Sequence, residues 1–169
     1  MADQPNIIFI LTDQHRLSGV SAYGETPCRT PNIDRLADEG VLFENAYTVY
    51  PVCSPTRGTL HTGVYPRTHG ITSNTHEVGC SVHELEDRPE LLPRRLQAAG
   101  YEAGFTGKWH LGSEKTSTFQ GSNKLSSPSR IGYEGQDFAG QGYPDYLEWL
   151  RSKGHELGVK PWDEPTTMI

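Results

Sequence analysis

The first strong pattern along the chain is an unbroken apolar run, Ile7 to Leu11, rich in β-branched residues. Such a run predicts a strand that is buried on both faces of a parallel sheet. Polar residues, Thr12 to His15, follow it directly. Because ligands collect at the carboxyl ends of strands in open α/β sheets, we expect these residues to lie near a binding site.

Proline and glycine mark the ends of the predicted helices. The pair Thr30–Pro31 is typical of an N-cap followed by proline at the first helical position, and Gly40 is expected to end that helix. The pair Ser54–Pro55 repeats the pattern, with Ser54 as the N-cap and Gly63 as the end. Two helices are therefore expected in the first half of the chain.

Further strands are predicted at Val41–Val49 and Tyr101–Thr106, with a third short helix in the leucine-rich segment before Gly100. Strands that alternate with helices predict an α/β fold with a mostly parallel sheet flanked by helices. Ser113–Gly142 is polar, rich in glycine and serine and without a period, so it is predicted to be a long loop. Tyr146–Leu150 predicts a last, amphipathic helix.

Composition and charge exclude several classes of function. A chain of 169 residues can bury a core, and its net charge of −6 argues against nucleic acid or an anionic membrane as a partner. The amino terminus has an acidic residue before a short apolar run, so we expect no signal peptide, no membrane span and a cytoplasmic location. Three cysteines without a C-x-x-C pair exclude a zinc ribbon or a disulfide scaffold.

One of these cysteines has a distinctive setting. A helix capped by Ser54 with Pro55 at its first position would leave Cys53 just outside the amino terminus, where backbone N–H groups favour negative charge. Arg57 lies in the first turn, and its fork suits a tetrahedral oxyanion. The stretch predicts a small anion held against residue 53. A buried thiol beside a helix start explains it equally well.

A second cluster, GKWHLG, follows the strand predicted at Tyr101–Thr106. In an extended segment Lys108 and His110 would project to one face, where a cation and a titratable base suit an anionic substrate. The alternative is a turn with Trp109 packed and both polar groups solvated. The segment is not a phosphate-binding Walker loop, since Glu102 and Trp109 stand where that motif needs glycine and serine or threonine.

Together these motifs resemble the amino-terminal part of a type I sulfatase, of the alkaline-phosphatase-like superfamily. The resemblance covers roughly residues 6 to 112. It rests on five segments in the family's order: NIIFILTDQ, TPNIDRLADEGVLFENAY, VCSPTRGTLHTGVYPRTHG, LLPRRLQAAGY and GKWHLG. It implies that residues 1–169 are the N-terminal part of a catalytic domain whose remainder lies beyond Ile169.

The resemblance also implies a chemistry for residue 53. Cys53, Pro55 and Arg57 fit the signal by which a formylglycine-generating enzyme converts cysteine to Cα-formylglycine. One hydroxyl of the hydrated aldehyde then attacks sulfur and displaces the alcohol, leaving a covalent sulfate. The other hydroxyl is deprotonated and expels sulfate, which restores the aldehyde. By the same resemblance Arg57 holds the gem-diol, Lys108 a sulfate oxygen and His110 a gem-diol hydroxyl.

A metal site is implied in the same way. Asp13 is expected to bind calcium, or another divalent metal, that also contacts the formylglycine derived from Cys53. Most members have a second aspartate where this chain has Gln14, whose amide oxygen can coordinate but adds no charge. The remaining histidines, His61 and His69 among them, are interpreted as solvated or core residues.

Three functions stay open from the sequence. The first is hydrolysis of a small-molecule or saccharide sulfate ester. The second is hydrolysis of a phosphonate monoester or phosphodiester by a member of the same superfamily, since nothing in these residues separates sulfate from phosphate oxygens. The third is an inactive, truncated fragment.

Overall fold

The computed structural model of the protein describes residues 4–75, 77–112, 127–139 and 152–155. The chain divides into two compact units, Met1–Tyr47 and Thr48–Ile169, and each is described by itself. No helix among the described residues is long and apolar enough to cross a bilayer.

The first unit is built around helix α1, Pro31–Glu39, which follows two short 3-10 turns, Leu17–Gly19 and Ser21–Tyr23. Thr30 occupies the N-cap and Pro31 the first turn, as predicted, and Gly40 follows the last helical residue. The Asp34 carboxylate accepts hydrogen bonds from the hydroxyls of Ser21 at 2.6 Å and Thr30 at 2.9 Å. This network joins the start of α1 to the preceding turn.

The two strands predicted in the first 49 residues are absent from the described part of the chain. Ile7–Leu11 and Val41–Val49 form no sheet ladder, and their apolar side chains are exposed, with Ile8 at 85%. A strand needs a hydrogen-bonded neighbour, and an apolar run supplies the side chains for one but not the partner. The predictions of strands at Ile7–Leu11 and Val41–Val49 are therefore wrong for this structure.

The second unit contains helices α2 (Cys53–Thr62), α3 (Pro66–His69) and α4 (Leu92–Ala98), followed by strands β1 (Gly104–Gly107) and β2 (Glu134–Ala139). The strands pair in parallel, with Gly104 opposite Glu134 and Gly107 opposite Ala139. Parallel pairing agrees with the predicted α/β class. The described residues carry only these two strands, and of the predicted strands only Tyr101–Thr106 overlaps one of them, β1.

Part of the predicted long loop is ordered secondary structure. Residues 127–139 form a 3-10 turn, Ser129–Ile131, and strand β2, while 113–126 and 140–142 lie outside the described residues. The helix predicted at Tyr146–Leu150 also lies outside them. Strand β2 has a polar sequence without the alternation that would predict a strand. It forms because it pairs with β1, which lies 30 residues earlier in the chain.

The hydrophobic core belongs to the second unit. Two of its buried members come from the loop that follows β1, and the full set is Ile71, Cys80, Leu85, Leu91, Trp109, Leu111 and Ile131. Gly58 brings α2 close to α3, since a Cβ atom there would lie 2.8 Å from Cε1 of His69. Gly63 ends α2 as predicted, in the left-handed conformation at φ 71°.

Candidate active site

Cys53 is the first residue of α2 rather than the residue before its cap. Val52 occupies the N-cap with extended backbone and no side-chain cap, so the prediction that Ser54 caps this helix is wrong. The Ser54 side chain is fully buried, and its hydroxyl bonds to groups outside α2. Its Oγ donates a 2.6 Å hydrogen bond to the carbonyl of His110 and accepts one of 3.3 Å from the N–H of Thr75.

The amino terminus of α2 receives its side-chain acceptor from elsewhere in the chain. The backbone N–H of Ser54 donates to Oδ1 of Asn74 at 3.3 Å, and Nδ2 of Asn74 donates to Glu77 at 2.9 Å. Asn74 thus lies beside the residue that follows Cys53. Sequence reasoning missed it, because a cap from twenty residues away leaves no local pattern.

Lys108 lies against Cys53. Its Nζ is 3.4 Å from the cysteine Sγ, so the structure brings the two predicted clusters together. Arg57 is buried, and its Nη1 donates a 2.7 Å hydrogen bond to the carbonyl of Lys108. The guanidinium therefore holds the main chain of the residue whose ammonium faces position 53.

His110 is buried, but it does not have the extended backbone that the sequence predicts. Strand β1 ends at Gly107, and His110 has a positive φ of 52°. Among the described residues, the only other non-glycine residue with positive φ is Gln14, at 55°. Such backbone is unfavourable for residues with a side chain by roughly 1–3 kcal/mol and concentrates at functional sites. Both positions were predicted as site residues from the resemblance.

His61 is a further residue near the site, and sequence reasoning assigned it no role. It lies four residues after Arg57 and eight after Cys53, so all three share one face of α2. Burial, and then the positive charge of Arg57, lower the pKa of His61 to about 4. Its Nδ1 is 3.2 Å from the hydroxyl of Tyr133, whose own pKa burial raises to about 12. The imidazole is neutral at physiological pH.

The predicted metal ligands belong to the first unit. Asp13 and Gln14 offer one carboxylate and one amide oxygen, donor types that suit calcium. Calcium takes six to eight oxygens, however, and no group of three or more His, Cys, Asp or Glu side chains in the described part of the chain could hold a metal ion. The donor chemistry fits, but these residues can supply only part of a coordination shell. Their shared site with Cys53 stays a prediction.

Comparison with known proteins agrees with the motifs. The sulfatase family model matches residues 5–156. The chain is 39% identical over 111 residues to an N-acetylglucosamine-6-O-sulfatase of Bacteroides thetaiotaomicron. This match covers 66% of this chain and 19% of the Bacteroides protein. It is 41% identical over 114 residues to the human N-acetylgalactosamine-6-sulfatase. This match covers 64% of this chain and 22% of the human protein.

A solved structure extends the match to the fold. The phosphonate monoester hydrolase of Agrobacterium radiobacter superposes with a TM-score of 0.60 and 27% identity, covering 85% of this chain and 27% of that one. The matched part of this chain spans about a fifth of the length of the two curated relatives. The family model covers most of the chain, and the chain belongs to the sulfatase family.

Proposed function

We propose that this chain carries the nucleophile end of a sulfuric ester hydrolase, with the reacting atom at position 53. The observation that carries the proposal is the position of Lys108 Nζ, 3.4 Å from Cys53 Sγ at the first residue of α2. A helix amino terminus and a lysine ammonium each favour an anion. Both lie at one side chain, which suits a transferred sulfate group.

Residue 53 is proposed to be Cα-formylglycine in the active protein, formed from Cys53 by a formylglycine-generating enzyme. When formed, this group supplies a hydrated aldehyde whose hydroxyl is the nucleophile for sulfur. Lys108 neutralises a sulfate oxygen, and Arg57 binds the hydrate besides holding the Lys108 carbonyl. His110 holds a proton at the second hydroxyl.

The metal belongs to the same proposal. Asp13 and Gln14 would contribute oxygen ligands to a calcium ion, which polarises sulfate oxygens when bound. The left-handed backbone of Gln14 supports a functional role for that residue. The remaining ligands would come from outside the described residues.

We infer a sulfated saccharide as the substrate class. The two relatives are named for 6-sulfated N-acetylglucosamine and N-acetylgalactosamine. A second candidate is hydrolysis of phosphonate monoesters, which the likeness to the Agrobacterium enzyme favours over 85% of the chain. Both activities need an anion site and a nucleophile at position 53.

The test uses the full-length protein, produced with a formylglycine-generating enzyme. Peptide mass spectrometry should find Cys53 converted to an aldehyde that traps a hydrazide, while exposed Cys28 serves as an unconverted internal control. The converted protein is then assayed on p-nitrophenyl sulfate, a sulfated N-acetylhexosamine and a phosphonate monoester.

We expect kcat/KM to be highest for the sulfate esters and to be lost in Cys53→Ala. Faster turnover of the phosphonate ester would select the second candidate. An unmodified Cys53 in every preparation, beside a control sulfatase that is converted, would contradict the formylglycine proposal.

A further inference from the structure

The loop that carries Lys108, residues 107–112, is held on α2 by three contacts from successive turns of that helix. The contacts are a hydrogen bond from Ser54 to the His110 carbonyl, one from Arg57 to the Lys108 carbonyl, and a ring contact of His61 with Trp109. Positions 54, 57 and 61 are spaced by three and four, so they form one stripe on the helix. The stripe holds three consecutive residues of the loop.

The third contact is the least expected. The ring centroids of His61 and Trp109 are 4.9 Å apart, and the His61 ring also packs on Tyr133 at 5.7 Å and Phe105 at 6.2 Å. Trp109 is itself buried. The buried indole therefore packs directly against the imidazole, with the two ring planes tilted by 55°.

The histidine at position 61 makes a hydrogen bond that an apolar residue could not make. Its Nδ1 hydrogen-bonds with the hydroxyl of Tyr133, 72 residues further along the chain, just before strand β2. His61 is buried and Tyr133 half-buried, and their hydrogen bond favours one orientation of both rings, since a polar group that loses water without gaining a partner is unfavourable. Burial, and then the positive charge of Arg57 one turn earlier on α2, lower the pKa of the imidazole, so the ring stays neutral.

We propose that His61 and Tyr133 are a positioning pair that holds the 107–112 loop in register on α2. Trp109 lies between Lys108 and His110, so a shift of the indole moves both neighbours. The pair acts through Trp109 to keep Lys108 Nζ against residue 53. Its effect on turnover rests on the proposed sulfate-ester hydrolysis, whereas its effect on the loop does not.

The experiment compares four variants of the full-length protein. His61→Leu removes the polar group but keeps an apolar side chain, His61→Gln restores a hydrogen-bonding group, and Tyr133→Phe removes only the hydroxyl. His69→Leu is the matched control: His69 is also buried, on α3, but its hydrogen bonds run to Thr59 and to the N–H of Ile71.

Two readouts separate positioning from simple stability. Hydrogen exchange of a peptide covering residues 104–112 should be about tenfold faster in His61→Leu and detectably faster in Tyr133→Phe, while His69→Leu loses thermal stability without this local change. For turnover of an aryl sulfate, kcat/KM should fall about ten- to a hundredfold in His61→Leu, because small misplacements of a binding group have effects of that size. His61→Gln should recover to within about threefold of the wild type.

The two proposals fail separately. If the converted wild type hydrolyses no sulfate ester, the proposed function fails, and the exchange comparison alone decides the role of the pair. Equal exchange of the 104–112 peptide in His61→Leu and His69→Leu would overturn the positioning role. If His61→Leu does not fold, Tyr133→Phe and His61→Gln carry the same comparison, and wild-type exchange in Tyr133→Phe would overturn it.

Discussion

Ser54 Oγ donates a 2.6 Å hydrogen bond to the main-chain carbonyl of His110, 56 residues further along the chain. The bond is buried and joins the residue after the proposed nucleophile to the residue after Trp109. It makes the start of α2 and the 107–112 loop one structural element. The same loop carries Lys108, whose Nζ lies 3.4 Å from Cys53 Sγ.

Ser54→Ala should lower the free energy of unfolding by about 1–3 kcal/mol. The change leaves a buried carbonyl at His110 and a buried N–H at Thr75 without the hydroxyl that each contacts. Urea denaturation of the full-length protein measures it. Ser81→Ala, at an exposed serine of the same unit, is the control and should stay within about 0.5 kcal/mol. Equal effects of the two changes would contradict the assignment.

Gly58→Ala should also destabilise the protein, although alanine is the better helix former by about 1 kcal/mol. A Cβ atom at residue 58 would lie 2.8 Å from the ring of His69, so α2 and α3 would have to move apart. Overpacking of this kind costs about 1–3 kcal/mol. Gly104→Ala is the control, since nothing lies within 4 Å of a Cβ atom there. A rise in melting temperature for Gly58→Ala would show that the helices have room.

Acidification should weaken the fold through His61. Its pKa is about 4 in the folded protein and 6.5 as the ordinary value, so the unfolded chain binds a proton first as the pH falls. The stabilising effect of the neutral ring is complete above pH 6.5 and is lost as the pH falls toward 4, by about 3 kcal/mol in all. Burial lowers the pKa of His69 as well, with a contribution of the same sign.

Urea denaturation at pH 7 and pH 5 checks this expectation. The wild type should lose more stability between the two pH values than His61→Leu, whose side chain does not titrate. A variant with the same pH dependence as the wild type would show that His61 is not the group responsible.

The proposed calcium site predicts opposite behaviour for two adjacent residues. Asp13→Ala should nearly abolish calcium binding by the full-length protein, whereas Gln14→Asp should leave it unchanged or tighten it up to about tenfold. A carboxylate near the ion gains several kcal/mol of attraction at an effective dielectric near 20, much of which desolvation offsets. Calorimetric titration measures both, with Asp38→Ala, at an exposed acid on α1, as the control. Wild-type affinity in Asp13→Ala would place the ion elsewhere.

The sequence by itself predicted those features that depend on neighbouring residues. Proline near a helix start and glycine after its end act through backbone geometry over one turn, so the limits of α1 and α2 were predicted within one or two residues. The chemistry around Cys53 and Lys108 was readable as two local motifs. The family resemblance predicted that the two motifs form one site, and the structure places Lys108 beside Cys53.

Tertiary structure decided everything that requires a partner from a distant part of the chain. Serine is a common N-cap residue, yet the Ser54 hydroxyl donates its hydrogen bond to the His110 carbonyl. A carbonyl that is buried away from water requires such a donor. Ile7–Leu11 has the composition of a strand but forms none, since a ladder needs a second backbone. The sequence around His61 showed no role for it. Its contacts with Trp109 and Tyr133 define its position, and both partners are distant in sequence, so only the folded structure reveals them.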